Sequence, residues 1–311
     1  MPKNTACLFA CSEAFAFALY VTLKTFFAHS AQLADQADIF VYAYRWSDRT
    51  KKIISSCGPV KIVDYELPSN IPLTAQVLRF SPALYARFEA FNLLGRYENV
   101  ICLDSDILVQ KELKDVLEQV DEGVGLVKDT LPSVGKNFIH PIAGYDFLKP
   151  CYNAGFIVLK RNKLPVPGAE ISRWLYTMLK EQSHNVELGD QGLINLALQH
   201  FNLVLHEIST LWNLPASNAR RKLQKAYIIH STGHRKFWSY YYFREWYSDY
   251  KCWYQAGGIP VSIRKNSPLW DKFLQKWNLN CFVFFQLAPD AVKYPIKFIT
   301  FCIKFLFNIK Y

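Results

Sequence analysis

Hydrophobic positions fall into short unbroken runs, separated by stretches in which apolar residues recur every three or four places. Ala6–Cys11 reads as a central strand, and Ala14 to about Phe27 is apolar all round, as a helix packed on a sheet would be. Asp38–Tyr44 follows as a strand, Asp48–Ser55 as a helix and Val60–Val63 as a third strand. Val100–Leu103 is an apolar run without alternation, which suits a strand covered on both faces. Beyond it the pattern predicts a helix near Lys111–Gln119, strands at Gly123–Val127 and Phe156–Leu159, and a helix over Ala169–Glu181. Gly189 opens a helix running to about Gln199, and Ala226–His230 is a last apolar strand. Strands alternating with helices predict an α/β fold with a parallel, doubly wound sheet. Lys128–Lys149 breaks the rhythm: it is polar, carries Pro and Gly, and has the length of a lid or binding loop.

Ser81-Pro82 marks a further helix, with a hydroxyl N-cap and proline in the first turn. Leu84, Phe88, Phe91 and Leu94 share its apolar face, and Arg87 projects from the middle of that face. A guanidinium is not buried without an anion. Two readings follow: a structural ion pair with a nearby carboxylate, or a brace for Asp104 or a bound ligand.

The chain has 311 residues, 51% of them hydrophobic and 20% charged, which predicts a folded catalytic-size domain with an appendage. Its net charge of +10 predicts an anionic partner. The eight cysteines form no Cys-x-x-Cys pair, so reduced thiols in a cytosolic setting are expected. Ser12 and Glu13 interrupt the amino-terminal apolar stretch, so no secretion signal is expected, and no run of uncharged apolar residues predicts a membrane-spanning helix. The end of the chain is different. Lys293, Lys297, Thr300, Lys304 and Asn308 fall on one helical stripe, with Phe298, Phe301, Phe305 and Phe307 among the residues covering the rest. Such a helix suits the surface of an anionic membrane, the alternative being a terminal helix docked on its own domain.

Asp104 and Asp106 stand at i and i+2 just past the Val100–Leu103 strand, where open α/β sheets bind ligands. In so basic a chain, paired carboxylates there predict a divalent cation holding a sugar-nucleotide diphosphate. Taken singly, such motifs are weak, since an Asp-x-Asp is often a solvated turn and a strand-end histidine is often merely a satisfied polar residue. Their order is more specific. Phe9-Ala10, Tyr85-Ala86-Arg87, Leu103-Asp104-Ser105-Asp106, Tyr152-Asn153-Ala154-Gly155, Asp190-Gln191 and His230-x-x-Gly233-x-x-Lys236 resemble, in sequence and order, the motifs of family 8 glycosyltransferases. The resemblance spans about residues 5–240. It implies a Rossmann-like nucleotide-diphospho-sugar transferase domain of glycosyltransferase A type, with a mostly parallel central sheet, over 1–240, and 241–311 as a helical, aromatic, basic, membrane-associating region.

By the same resemblance, Asp104, Asp106 and His230 are the metal ligands. Carboxylate and diphosphate oxygens suit Mg²⁺ or Mn²⁺, and the imidazole tilts the choice to Mn²⁺. Phe9, Ala10, Ser12, Phe15 and Ser105 belong to the nucleotide side, Gly233 and Lys236 to the phosphates, and Arg87, Asn153 and Ala154 to the donor sugar. There the resemblance makes Asp190, as negative potential for an oxocarbenium-like sugar, and Gln191, near the anomeric centre, the catalytic residues. Two departures stand out. Ser12 and Phe15 replace an Asp and a Tyr that meet the uracil, and Phe237 interrupts a Lys-Pro-Trp. The resemblance implies a retaining enzyme using UDP-glucose or UDP-galactose to extend a lipid-linked glycan, such as lipopolysaccharide or lipooligosaccharide, at the cytoplasmic face of a bacterial inner membrane. Gln191, an amide, is a poor nucleophile, which favours same-face attack over a covalent glycosyl-enzyme. The competing readings are a non-catalytic module for anionic lipid or nucleic acid, and a catalytically silent relative. Lys and Arg are spread rather than massed on one element, so no nucleic acid is expected.

Overall fold

A computed structural model describes residues 3–218, 225–233, 236–239 and 243–261. The lysine stripe expected over 293–308 lies outside the described residues. In chain order the elements that position the site are β1 (Thr5–Ser12), α1 (Ala16–His29), α2 (Ala31–Gln36), β2 (Ala37–Tyr44), α3 (Asp48–Ser55) and β3 (Val60–Asp64). After α4 (Ala75–Arg79), a 3-10 turn (Pro82–Phe88) leads into α5 (Glu89–Leu93), β4 (Asn99–Leu103), β5 (Ile107–Val109), α6 (Val116–Gln119) and β6 (Val124–Lys128). Then come β7 (Tyr152–Lys160), α7 (Gly168–Gln182), α8 (Asp190–His200), β8 (Leu205–Ile208), β9 (Leu214–Pro215), β10 (Ile228–His230) and α9 (Arg244–Gln255).

The main sheet has seven strands in the order β3-β2-β1-β4-β7-β6-β8. It is mostly parallel, as the family resemblance implies, with β7 running antiparallel to both β4 and β6. The cause is the connection: residues 129–151 hold only a short 3-10 turn, and without a crossover helix the chain returns in the opposite direction. A smaller sheet, β5-β10-β9, carries His230. Its three-residue strand β5 falls inside the stretch that hydropathy leaves between strand and helix. The helix expected over Lys111–Gln119 shrinks to α6.

Local chemistry explains the ends of several elements. Ser47 caps α3 through its hydroxyl, and Ser81 accepts from the Ala83 N–H at 3.3 Å as proline begins its turn. Helix α1 is apolar all round because it is covered all round, by the sheet, by β5 and by α9. Aromatic rings make the last contact: Trp246 and Tyr250 meet Phe17 with centroids 6.2 and 6.1 Å apart, and Trp253 meets Tyr20 at 5.6 Å. The described unit therefore continues to Val261, past the boundary expected at residue 240. On the other sheet face, Tyr85, Phe88 and Phe91 join Leu175, Leu179 and Leu193 in the core.

Strand order reverses between β1, which leads outward to β2, and β4 on its other side. Crevices form where such a sheet switches direction, beyond the carboxyl ends of the strands. Ser12 ends β1 and Asp104 follows β4 at that point. No described helix is long and apolar enough to cross a membrane.

Candidate active site

Asp104 and Asp106 lie on the turn between β4 and β5, which Thr22 of α1 fastens from below. Its hydroxyl donates to the carbonyls of Ser105 and Ile107, 2.9 and 2.8 Å away. His230 ends β10, whose antiparallel pairing with β5 sets His230 opposite Ile107. Three ligand atoms thereby converge. His230 Nε2 is 3.3 Å from Asp104 Oδ2 and 3.2 Å from Asp106 Oδ1.

Each carboxylate spends its other oxygen on a cation of the protein. Asp104 Oδ1 accepts from Arg87, and Asp106 Oδ2 accepts from Lys236 and, at 3.2 Å, from the Ser231 hydroxyl. Burial alone would push the Asp106 carboxyl up, but Lys236 and His230 outweigh it and hold the group far below the usual carboxylate range. The free oxygens and the imidazole lie within 4.8 Å of one another, a donor set that fits Mn²⁺ or Mg²⁺.

Space for the cluster depends on Gly155. A Cβ at this position would lie 2.7 Å from His230 Nδ1 and 2.8 Å from Asp104 Oδ2. Gly155→Ala is therefore expected to part the two ligands and weaken Mn²⁺ binding by about tenfold or more. Isothermal titration against the unmodified protein measures this, and equal affinities would refute it.

Arg87 settles between the two readings of its apolar-face position by making both contacts. It is 6% exposed, and its guanidinium bridges Asp104 and Asp190. Burial pushes the Asp190 carboxyl up to about 6, against the pull of Arg87 and with a push from Asp104. Asp190 opens α8 after Gly189, whose φ of +57° is a left-handed value that suits glycine.

Gln191 points inward. Its Oε1 accepts from Asn153 Nδ2 at 3.1 Å and from the Ala154 N–H at 3.3 Å. Its Nε2 donates to Asn137 Oδ1 at 3.1 Å and to Cys151 Sγ at 3.5 Å. Asn137, fully buried, comes from the 129–151 connection, so that loop is pinned to the site rather than free as a lid. Among the described residues all six cysteines are free thiols, and burial raises Cys151 to about 11.

The nucleotide side is looser. The Phe9 ring is buried against Phe26 at 5.6 Å, a core position, and Ala10 beside it is half-buried. Ser12 is half-buried, while Phe15, 38% exposed, sets its ring 6.0 Å from Trp238. Ser105 contributes its carbonyl to Thr22. Gly233 has φ +70°, and among the described residues nothing lies within 4 Å of a notional Cβ on it. Lys236, expected on phosphate, has its ammonium on Asp106 and, at 2.8 Å, on the Ser231 carbonyl.

Sequence reasoning misses Asn213, Asp129, Asn137 and Cys151. Asp129 has a signal, since it directly follows β6 at the start of a conspicuous loop. Asn213 has none, because it ends a 3-10 turn just before a two-residue strand, and neither element is long enough to show a period.

The family model described as glycosyl transferase family 8 matches residues 6–241. No curated protein matches the chain. Among solved structures, galactosyltransferase LgtC in complex with donor and acceptor sugar analogues is similar at 17% identity and a TM-score of 0.57. That likeness covers 84% of this chain and 98% of the other. The bifunctional glycosyltransferase WbbM aligns over 89% of this chain and 52% of its own, at 17% identity and a TM-score of 0.57. Mouse xyloside xylosyltransferase 1 aligns over 74% and 98%, at 13% identity and a TM-score of 0.50. At these identities the likeness establishes the fold, a mixed α/β sheet of glycosyltransferase A type.

Proposed function

The chain belongs to glycosyl transferase family 8, and from that premise we propose that it is a divalent-cation-dependent, retaining hexosyltransferase. In this reading it moves glucose or galactose from a UDP-sugar to a lipid-linked glycan such as lipopolysaccharide or lipooligosaccharide. The observation that carries the proposal is the convergence of Asp104, Asp106 and His230 at the sheet's switch point. When bound there, Mn²⁺ supplies Lewis-acid stabilisation of the departing diphosphate.

The chain's own residues do the rest. Lys236 stands beside Asp106, where its ammonium can neutralise a phosphate oxygen, and Gly233 leaves room for the backbone to meet the diphosphate. Arg87 holds Asp104 and Asp190 in fixed orientation. Neither Asp190 nor Gln191 is poised as a nucleophile: the first is 2% exposed and ion-paired, and the carbonyl oxygen of the second already accepts two N–H groups. Both facts support same-face attack by the acceptor rather than a glycosyl-enzyme. Phe15, beside Trp238, is the aromatic surface available to a base at the nucleotide side.

The acceptor, and a place at the cytoplasmic face of a bacterial inner membrane, rest on the family resemblance and on the carboxyl-terminal lysine stripe. Sedimentation of the whole chain with anionic but not neutral vesicles is the expected result for that part. Donor use is tested with radiolabelled UDP-glucose and UDP-galactose in the presence of Mn²⁺. Release of UDP from one of them supports the proposal; neither transfer nor hydrolysis of either donor would overturn it.

A further inference from the structure

The imidazole of His230 serves a cation only through a nitrogen that carries a lone pair, so the neutral ring's proton must sit on Nδ1 if Nε2 is to bind. A chain of amides fixes that choice. The Gly155 N–H can only donate, and it lies 2.9 Å from Asn153 Oδ1. The Asp129 carboxylate accepts, and it lies 2.7 Å from Asn153 Nδ2. These two groups orient the Asn153 amide in one way only.

Asn153 Oδ1 in turn faces Asn213 Nδ2 at 2.7 Å, which orients the second amide. Asn213 Oδ1 is left 2.9 Å from His230 Nδ1. A carbonyl oxygen has no proton to give, so Nδ1 must be the donor. In the neutral ring Nε2 then carries the lone pair, aimed where a cation would sit between Asp104 and Asp106.

Asn213 is built to stay in place. It is 3% exposed and ends a 3-10 turn that begins after Ser209, whose hydroxyl accepts from the Leu211 N–H at 3.3 Å. Its neighbour Trp212 stacks on Tyr227 with centroids 3.7 Å apart, and β9, which follows at once, pairs Leu214 with Ile229 next to His230. Few rotamers remain open to a side chain held so tightly, so little entropy is lost in keeping its bond to His230.

We propose that Asn213 is the positioning residue for the cation site: oriented by Asn153 between Gly155 and Asp129, it holds His230 in the tautomer that binds metal through Nε2. The inference rests on the metal reading given above, because the tautomer matters to function only if a cation arrives. It also ties the two halves of the site together. Asn153, which sets Asn213, also bonds Gln191 on the donor-sugar side.

The test uses the full chain with isotopically labelled histidine, metal-free, with the pH raised until the nitrogen signals themselves report a neutral ring. The His230 signal is assigned by its loss in His230→Gln. Nitrogen NMR should find Nδ1 protonated in the unmodified protein. In Asn213→Leu the proton should move to Nε2, where the two carboxylates accept it. Mn²⁺ titration followed by electron paramagnetic resonance should show Asn213→Leu weakened by about 10–100-fold. Asn213→Asp keeps an acceptor oxygen at Nδ1 but turns its other oxygen on Asn153 Oδ1, so it should bind more weakly than the unmodified protein yet more tightly than Asn213→Leu.

An unprotonated Nδ1 in the unmodified protein overturns the inference, as does undiminished Mn²⁺ binding by Asn213→Leu or a loss in Asn213→Asp as large as in the leucine variant. Should the leucine variant not fold, the unmodified protein's tautomer and the aspartate variant still decide. Failure of the unmodified protein to bind Mn²⁺ is a different result: it removes the metal reading, and this inference with it.

Discussion

Asp106→Asn is expected to cut sugar transfer by about a thousandfold or more while leaving the fold intact. The substitution keeps shape and removes one charge, at the oxygen that faces His230 3.2 Å away. Lewis-acid stabilisation of a leaving diphosphate supplies several kcal/mol, and each ~1.4 kcal/mol is a factor of ten in rate. Loss of the cation would therefore dominate any change in substrate contacts. The fold has less at stake. Lys236, left without its partner, is 23% exposed and can turn to water, and Ser231 keeps its bonds to the Asp106 backbone. Initial rates with the preferred donor, beside thermal unfolding of the same samples, measure both effects. Transfer within tenfold of the unmodified enzyme would contradict the account.

Arg87→Met should instead damage stability first. Removing the guanidinium leaves Asp104 and Asp190 facing each other without their shared counter-charge, and Asp190 is 2% exposed. Breaking a buried pair by deleting one partner costs about 3–5 kcal/mol. For a domain of this size that corresponds to a melting point lower by roughly 10 °C. Arg87→Lys should recover little, since one ammonium cannot span two carboxylates as a planar fork does. The double variant Arg87→Met with Asp190→Leu should regain stability, because the unpaired buried charge is gone, yet remain inactive. Differential scanning calorimetry on the three proteins decides it. A melting point for Arg87→Met within about 2 °C of the parent would show that the ion pair is not what holds the site together.

Asp106 and Arg87 are both legible in the amino-acid sequence, and for a shared reason. Hydropathy reports burial, so an apolar run ending in carboxylates and a guanidinium in an apolar stripe both stand out as charges where charges are expensive. Helix α3 is legible to its ends because a hydroxyl cap and a clear apolar face define it. Strand direction is not legible, since burial says nothing about which way a strand runs; β7 is antiparallel because its connection lacks a helix. The three-residue β5 and the two-residue β9 are too short to show a period, yet their sheet delivers His230. The residues around Gln191 and His230 are hidden for another reason. Amide networks are made of single Asn and Gln side chains, and only the fold brings Asn137, Asn153 and Asn213 into one chain of hydrogen bonds. The Gln191 amide itself is saturated by neighbours that its motif does not announce.

In the proposed function one cation joins two aspartates of the β4–β5 turn to a histidine from a different sheet. Anomalous diffraction from crystals soaked in Mn²⁺ and UDP addresses it without relying on activity. A single manganese peak is expected within bonding distance of Asp104, Asp106 and His230 Nε2, with diphosphate oxygens completing its coordination. Crystals that hold UDP yet show no anomalous density among those three side chains would contradict it.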